Sequence, residues 1–136
     1  MKNDQVFIDA SFWIALRHQR QEYHPRSREI AAELFADRII WVSTMFVFAE
    51  THAFVSRWPQ LSRMVIEDIT DNPVFKMEPV QQVDNENALK ILGGLRDKSY
   101  SFCDAVSFVV MERLGVRRVV TFDRHFEQFG NFELIN

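Results

Sequence analysis

A chain of 136 residues, 47% hydrophobic and carrying 13 phenylalanines, has the apolar mass for a buried core, which excludes intrinsic disorder. A net charge of −3, from 19 acidic and 16 basic side chains, excludes a surface that grips nucleic acid over its whole extent. It leaves room for an acidic metal centre with a local basic rim, for which Arg17, Arg20, Arg26 and Arg28 are candidates, although charges spread like these more often form a solvated helix face.

The opening MKNDQVFIDAS enters a polar-bounded strand at 5–9 instead of the apolar segment and small-residue cleavage site of a signal peptide. Ser11 is suited to cap a helix over 12–17, and Pro25 fits the first turn of a second helix running to 36. IIWV at 39–42 is a second strand. Ser43 or Thr44 then caps a helix over 45–58, which stops before Pro59. A helix is expected over 61–71, a strand over 74–80 interrupted late by Pro79, and a helix over 84–96 that ends near Gly93 and Gly94. The segment 102–114 is helical and closed by Gly115, a natural left-handed cap. A strand at 119–121, a turn of helix at 123–129 and a strand at 132–135 complete the chain.

Strands alternating with helices predict an α/β domain with a parallel sheet, one domain over 1–136. Parallel strands are covered on both faces and so read as solid apolar runs, as IIWV and VVTF do. No apolar run approaches the roughly 18–20 residues that span a bilayer. With a single cysteine, Cys103, no internal disulfide can form, and a cytoplasmic location is the expectation.

In parallel α/β sheets, ligands bind outside the carboxyl ends of the strands. Asp9 ends the first strand and Asp123 follows VVT, both at that edge. Asp104 stands in the first turn of the helix leading into VVT, and Glu50 lies about two turns into the helix after IIWVST. Steps of 41, 54 and 19 residues between them mean that only the fold can assemble the four. Each has a structural alternative: Asp9 and Asp123 as helix caps, and Asp104 as a first-turn acid favoured by the helix dipole. Glu50 is harder to assign to structure, because Phe46, Ala49, Ala53 and Phe54 give it an apolar or close-packed face. Mutually repelling carboxylates in one cleft need a cation, and hard oxygen ligands suit Mg²⁺ or Mn²⁺. With acids alone and a substrate phosphate filling the shell, the chemistry expected is phosphoryl-group hydrolysis. The hydroxyls of Ser11, Ser43, Thr44 and Thr121 lie near the same edge and are suited either to orienting ligands or to capping.

FIDAS at 7–11, VSTMFVFAE at 42–50, YSFCDAVSFVVMERLGV at 100–116 and VVTFDRHFEQFG at 119–130 together resemble the PIN-domain ribonucleases, above all the VapC type of bacterial toxin. The resemblance runs nearly from end to end. It implies a three-layer α/β/α domain with a central parallel sheet of about five strands. It also implies a metal-dependent RNA endonuclease in which Asp9, Glu50, Asp104 and Asp123 hold Mg²⁺ or Mn²⁺, and water attacks a phosphodiester in line. The partners it implies are an RNA substrate, a small antitoxin encoded nearby and a second copy of the chain; Phe12, Trp13, Phe54 and Trp58 read as core, with some of them as the alternative candidates for a helical dimer surface. Many relatives carry a further Asp two residues past the fourth acid; here that position is His125, which puts any fifth-acid role in doubt.

Other chemistries lack their residues. A haloacid-dehalogenase-like phosphatase needs a second Asp two residues after the first, where Ser11 stands; a receiver domain needs an early acidic pair and a late lysine. His18, His24, His52 and His125 show no zinc spacing; His125 reads as a surface turn histidine, or as one near the site that touches phosphate, and Cys103 beside Phe102 reads as packing in preference to a catalytic thiol paired with one of the histidines. A non-catalytic PIN-like module that binds RNA or protein is the remaining alternative, as is a nuclease of RNA processing. A module that only binds has no electrostatic reason to keep a repulsive acidic cluster.

Overall fold

The apolar run QVFI forms β1 (Gln5–Ile8), the middle strand of a sheet in the computed structural model, which describes residues 4–94 and 99–136. After it come α1 (Ala10–Arg17), α2 (His24–Ala36), β2 (Ile40–Ser43), α3 (Met45–Val55), α4 (Pro59–Thr70) and β3 (Phe75–Met77). The chain continues with α5 (Gln82–Gly93), α6 (Phe102–Leu114), β4 (Arg118–Val120), α7 (His125–Phe129) and β5 (Glu133–Ile135). The five strands run in the order β3-β2-β1-β4-β5, every pairing is parallel, and helices flank the sheet, as expected. Among the described residues no helix is long and apolar enough to cross a membrane.

Several boundaries differ from the sequence expectation for identifiable reasons. Helix α1 starts at Ala10, with Asp9 as its N-cap residue, because the Ser11 hydroxyl bonds to the Asp9 carboxylate instead of capping. Pro59 begins α4 at its first position, where a missing N–H costs nothing. Helix α3 ends earlier than expected, at Val55. Asp84 does not start α5. It is the third helical residue of a capping box with Gln81, so the helix opens at Gln82. The expected end of α5 near Arg96 lies outside the described residues. β3 is shorter than 74–80, although Glu78 N–H still bonds to Ser43 O at 2.8 Å.

Helix α6 carries the centre of the core. Residues 103–111 are all buried, so the helix has no solvent stripe over most of its length. Its start is fixed by a capping box between Ser101 and Asp104, and its end by Gly115 at φ 70°. A cluster of Tyr100, Phe108, Phe126, Phe129 and Phe132 ties α6 to α7 and the last strand. On the outer side, Arg113 binds Asp84 and Glu78 and clamps α6 to α5 and the end of β3. Burial alone would raise the Asp84 carboxyl, but the hydrogen bonds from Arg113 and Gln81 outweigh it and hold the group below its ordinary value.

Candidate active site

The strand order reverses beside β1: β2 lies on one side and β4, from the far end of the chain, on the other. A crevice opens at such a switch point, and the residues following β1 and β4 face it. These residues include Asp9 and Thr121 to Asp123, and Asp9 N–H bonds to Val120 O at 3.2 Å, joining the two strand ends directly.

Asp9 is buried and held by two hydroxyls. Thr121 Oγ1 donates to its Oδ2 at 2.7 Å and Ser11 Oγ donates to the same oxygen at 2.8 Å. Backbone groups set that direction. Asp123 N–H donates to Thr121 Oγ1 and Phe122 N–H to Ser11 Oγ, each at 3.0 Å, which orients both hydroxyl hydrogens toward the carboxylate. Burial nevertheless dominates, and the Asp9 carboxyl is pushed up to about 6, with the negative charge of Asp104 adding to the rise against the two hydroxyls. Although Asp9 is the N-cap residue of α1, its side chain makes no capping bond, so the capping alternative does not account for it.

Asp104 and Asp123 approach each other across His125. His125 Nδ1 lies 2.6 Å from Asp104 Oδ2 and 3.4 Å from Asp123 Oδ2, and one ligand atom from each residue falls within 4.8 Å of the others. The helix-terminus alternatives are also real here. Asp104 Oδ2 accepts Ser101 N–H at 3.0 Å, and Asp123 Oδ1 accepts His125 N–H at 3.0 Å. These two carboxylates are therefore oriented by the local chain ends that present them. The contact of His125 with Asp104 corrects its expectation as a plain surface turn residue. Its ring packs edge-on against Tyr100, at 5.6 Å between centroids, which fixes the imidazole beside the acids.

Glu50 departs from expectation in another way. It is exposed on α3, as are Ala49 and Ala53, while the half-buried Phe46 and Phe54 pack against the core, so the apolar part of that face lies beside Glu50 and does not bury it. It reaches the acidic centre through Cys103, the chain neighbour of Asp104. Burial, a hydrogen bond to Glu50 and the charges of Glu50, Asp9 and Asp104 push the thiol up, out of thiolate range. Cys103 is thus a protonated, inert side chain that feels the charges of Glu50, Asp9 and Asp104. Phe46 against Phe102, at 5.4 Å between centroids, packs α3 onto the start of α6 and brings Glu50 there.

The remaining hydroxyls serve the frame. Ser43 Oγ donates to Ile8 O at 2.9 Å, tying β2 to β1 just before Asp9, and Thr44 Oγ1 caps α3 by accepting Val47 N–H at 3.3 Å. Among the rim candidates, Arg17 binds Asp68 and Arg26 binds Glu29, while Arg20 and Arg28 are exposed. His52 bonds to Ser62 at 2.9 Å and links α3 to α4.

The PIN domain family matches residues 6–131. The 23S rRNA-specific endonuclease VapC20 of Mycobacterium tuberculosis is 27% identical over 137 residues, covering 95% of this chain and 97% of that protein. The crystal structure of Mycobacterium tuberculosis VapC20, described as a sarcin–ricin loop cleaving toxin, superposes with a TM-score of 0.83 at 26% identity, covering 92% of this chain and 95% of that one. VapBC2 of Rickettsia felis, crystallised with a DNA fragment from its promoter, shares the fold with a TM-score of 0.72 at 14% identity, over 97% of this chain and 98% of that one.

Proposed function

The chain belongs to the PIN-domain family, and from that premise we propose that it is a divalent-metal-dependent endoribonuclease, the toxin of a toxin–antitoxin pair. The observation that carries this reading is the grouping of Asp104, Asp123 and His125 at the switch-point edge; the charge of Asp104 acting on buried Asp9, and Glu50 beside Cys103, support adding those two acids. The donor set fits the cation. Carboxylate oxygens suit Mg²⁺ or Mn²⁺, and a cation would offset the burial that raises Asp9.

Asp9, Glu50, Asp104 and Asp123 would hold the ion, with Ser11 and Thr121 as supporting hydroxyls. A bound Mg²⁺ or Mn²⁺ supplies Lewis acidity at the scissile phosphate and lowers the pKa of water. The chain's own residues do the positioning. Ser11 and Thr121 favour the ionised form of Asp9, the Ser101 N–H and His125 orient Asp104, and the His125 N–H orients Asp123. No side chain needs to act as a covalent nucleophile.

The name of the similar Mycobacterium protein makes structured ribosomal RNA, and a hairpin of sarcin–ricin loop sequence in particular, the first substrate to try. The partner proposed is a short antitoxin that covers the acidic cleft and brings an Arg or Lys to its carboxylates. A homodimer in the cytoplasm is the form proposed for the toxin, with the half-buried Phe54 and Trp58 on its contact surface. Purified protein incubated with ribosomal RNA should produce discrete fragments with Mg²⁺ or Mn²⁺ and none with EDTA. Equal cleavage under both conditions would sink the metal mechanism. Expression of the chain alone should arrest growth; a harmless protein that still cuts RNA in vitro would indicate RNA processing instead of toxicity.

A further inference from the structure

A series of aromatic rings runs from the core to the rim of the acidic centre. Trp41 meets Phe12 edge-on at 5.9 Å, Phe12 meets Phe122 at 6.2 Å, and Phe122 stacks on Tyr23 at 4.5 Å with only 11° between the ring planes. Phe12 is fully buried and Trp41 nearly so, whereas Tyr23 is 47% exposed. The outermost ring is therefore held rigidly from beneath and presented to solvent.

Its position is tied to the acids. Phe122 is the residue between Thr121 and Asp123, and its N–H bonds to the Ser11 hydroxyl that holds Asp9. A cleft of about 540 Å³ is lined by Tyr23 and Phe122 together with Ser11, Asp123 and His125. A second cleft, of about 470 Å³, is lined by the same two rings with Arg26 and Arg124. Tyr23 and Phe122 thus line both clefts, as does Asp123; the first also reaches Ser11 and His125, and the second adds Arg26 and Glu127. Arg124 lines both.

We propose that the Tyr23–Phe122 pair is the stacking platform for an unpaired base of the RNA adjoining the scissile phosphate, with Arg124 at its edge for the backbone. This rests on the nuclease reading above and names how that site would take its substrate. Unpaired bases are recognised by stacking on aromatic faces, and a guanidinium suits phosphate oxygens in a fixed geometry. A ring already immobilised by a stacked neighbour loses little freedom when a base lands on it, so the platform is preorganised. Continuity with the carboxylates favours RNA over a protein side chain as the occupant. The platform adjoins Asp123 in sequence and Ser11 by hydrogen bond, so whatever stacks there is held next to the reacting phosphate.

Two readouts test the proposal on the full chain. The first is quenching of 2-aminopurine placed in the loop of a sarcin–ricin hairpin RNA, which reports stacking whether or not the RNA is cut. The second is steady-state cleavage of the same hairpin with Mn²⁺. Tyr23→Ala should lose the quenching and raise KM about 5- to 100-fold, with kcat within about twofold of wild type. Tyr23→Phe and Tyr23→Trp should retain both properties, and melting temperatures should show that all three variants fold. Equal quenching and equal KM for wild type and Tyr23→Ala would overturn the platform. So would a Tyr23→Ala protein that loses affinity only for a protein antitoxin. Quenching by wild type without any cleavage would leave the platform standing and remove the nuclease reading. Neither quenching nor cleavage by wild type would overturn both.

Discussion

At Asp9, burial and two hydroxyl donors pull in opposite directions, and burial wins, lifting the carboxyl from its ordinary 3.8 to about 6. The folded protein therefore binds this proton more tightly than the unfolded chain, so ionising Asp9 destabilises the metal-free fold. Stability of EDTA-treated protein should fall as pH rises from about 4 to about 6, by up to roughly 3 kcal/mol for this group. Affinity for Mg²⁺ should rise over the same range, because the ion needs the carboxylate. Denaturant midpoints across that range should flatten in Asp9→Asn; a variant that keeps the wild-type slope would assign the effect elsewhere. At Asp104 three roles share one side chain: it accepts the Ser101 N–H, contacts His125 Nδ1 and faces Asp9 with its charge. Asn retains an oxygen for the Ser101 N–H but removes the charge facing Asp9. Asp104→Asn should thus be as stable as wild type or more so in EDTA, and Asp104→Ala about 1 kcal/mol less stable than Asn through the lost cap. Mg²⁺ should stabilise wild type by about 2.7 kcal/mol at a hundredfold excess over its dissociation constant, and either variant less. Thermal melts with and without the ion measure all of this, and a destabilised Asn variant whose melting ignores Mg²⁺ would make Asp104 structural.

Among the elements, those whose signals are local were legible and those settled by tertiary partners were not. Helix α6 carries its own start and stop in Ser101, Asp104 and Gly115, and it forms over the expected residues. The solid apolar runs in β1, β2 and β4 mark strands buried on both faces. The start of α1 was not legible, because Ser11 answers to Asp9 and Thr121, and Thr121 lies 110 residues away. The start of α5 was missed because Gln81 and Asp84 form a capping box without the usual Ser or Thr. Arg113 shows how far one residue can hold elements together. It pairs with Asp84, which is only 1% exposed, and with Glu78, so Arg113→Met leaves a buried carboxylate without its cation. The expected cost is about 3 kcal/mol, and Asp84→Asn added to it should restore part of the loss. Urea unfolding of the single and double variants checks this, and additive losses would show that the pair is not coupled.

Over the whole molecule, the parallel topology explains how distant acids become neighbours. Adjacent strands β1 and β4 end at the same edge, so Asp9 and Asp123 follow from the strand pattern alone. The route of Glu50, exposed on α3 and joined to the centre through Cys103, depends on how α3 packs on α6 and has no local signature. His125 was hidden for a similar reason: its partner Asp104 is 21 residues away on the far side of a strand. The fold thus presents four carboxylates of unequal standing: Asp9 and Asp104 are buried, the first clamped by hydroxyls and the second oriented by its helix start, Asp123 is half-buried and Glu50 is exposed. The claim that they act as one metal-dependent centre is tested most directly by measuring cleavage of ribosomal RNA with Mn²⁺ by four folded variants, Asp9→Asn, Glu50→Gln, Asp104→Asn and Asp123→Asn. Each should lose at least about a hundredfold in rate, since removing one ligand of a shared ion disables the whole site. Four variants that cut RNA as fast as wild type would contradict it.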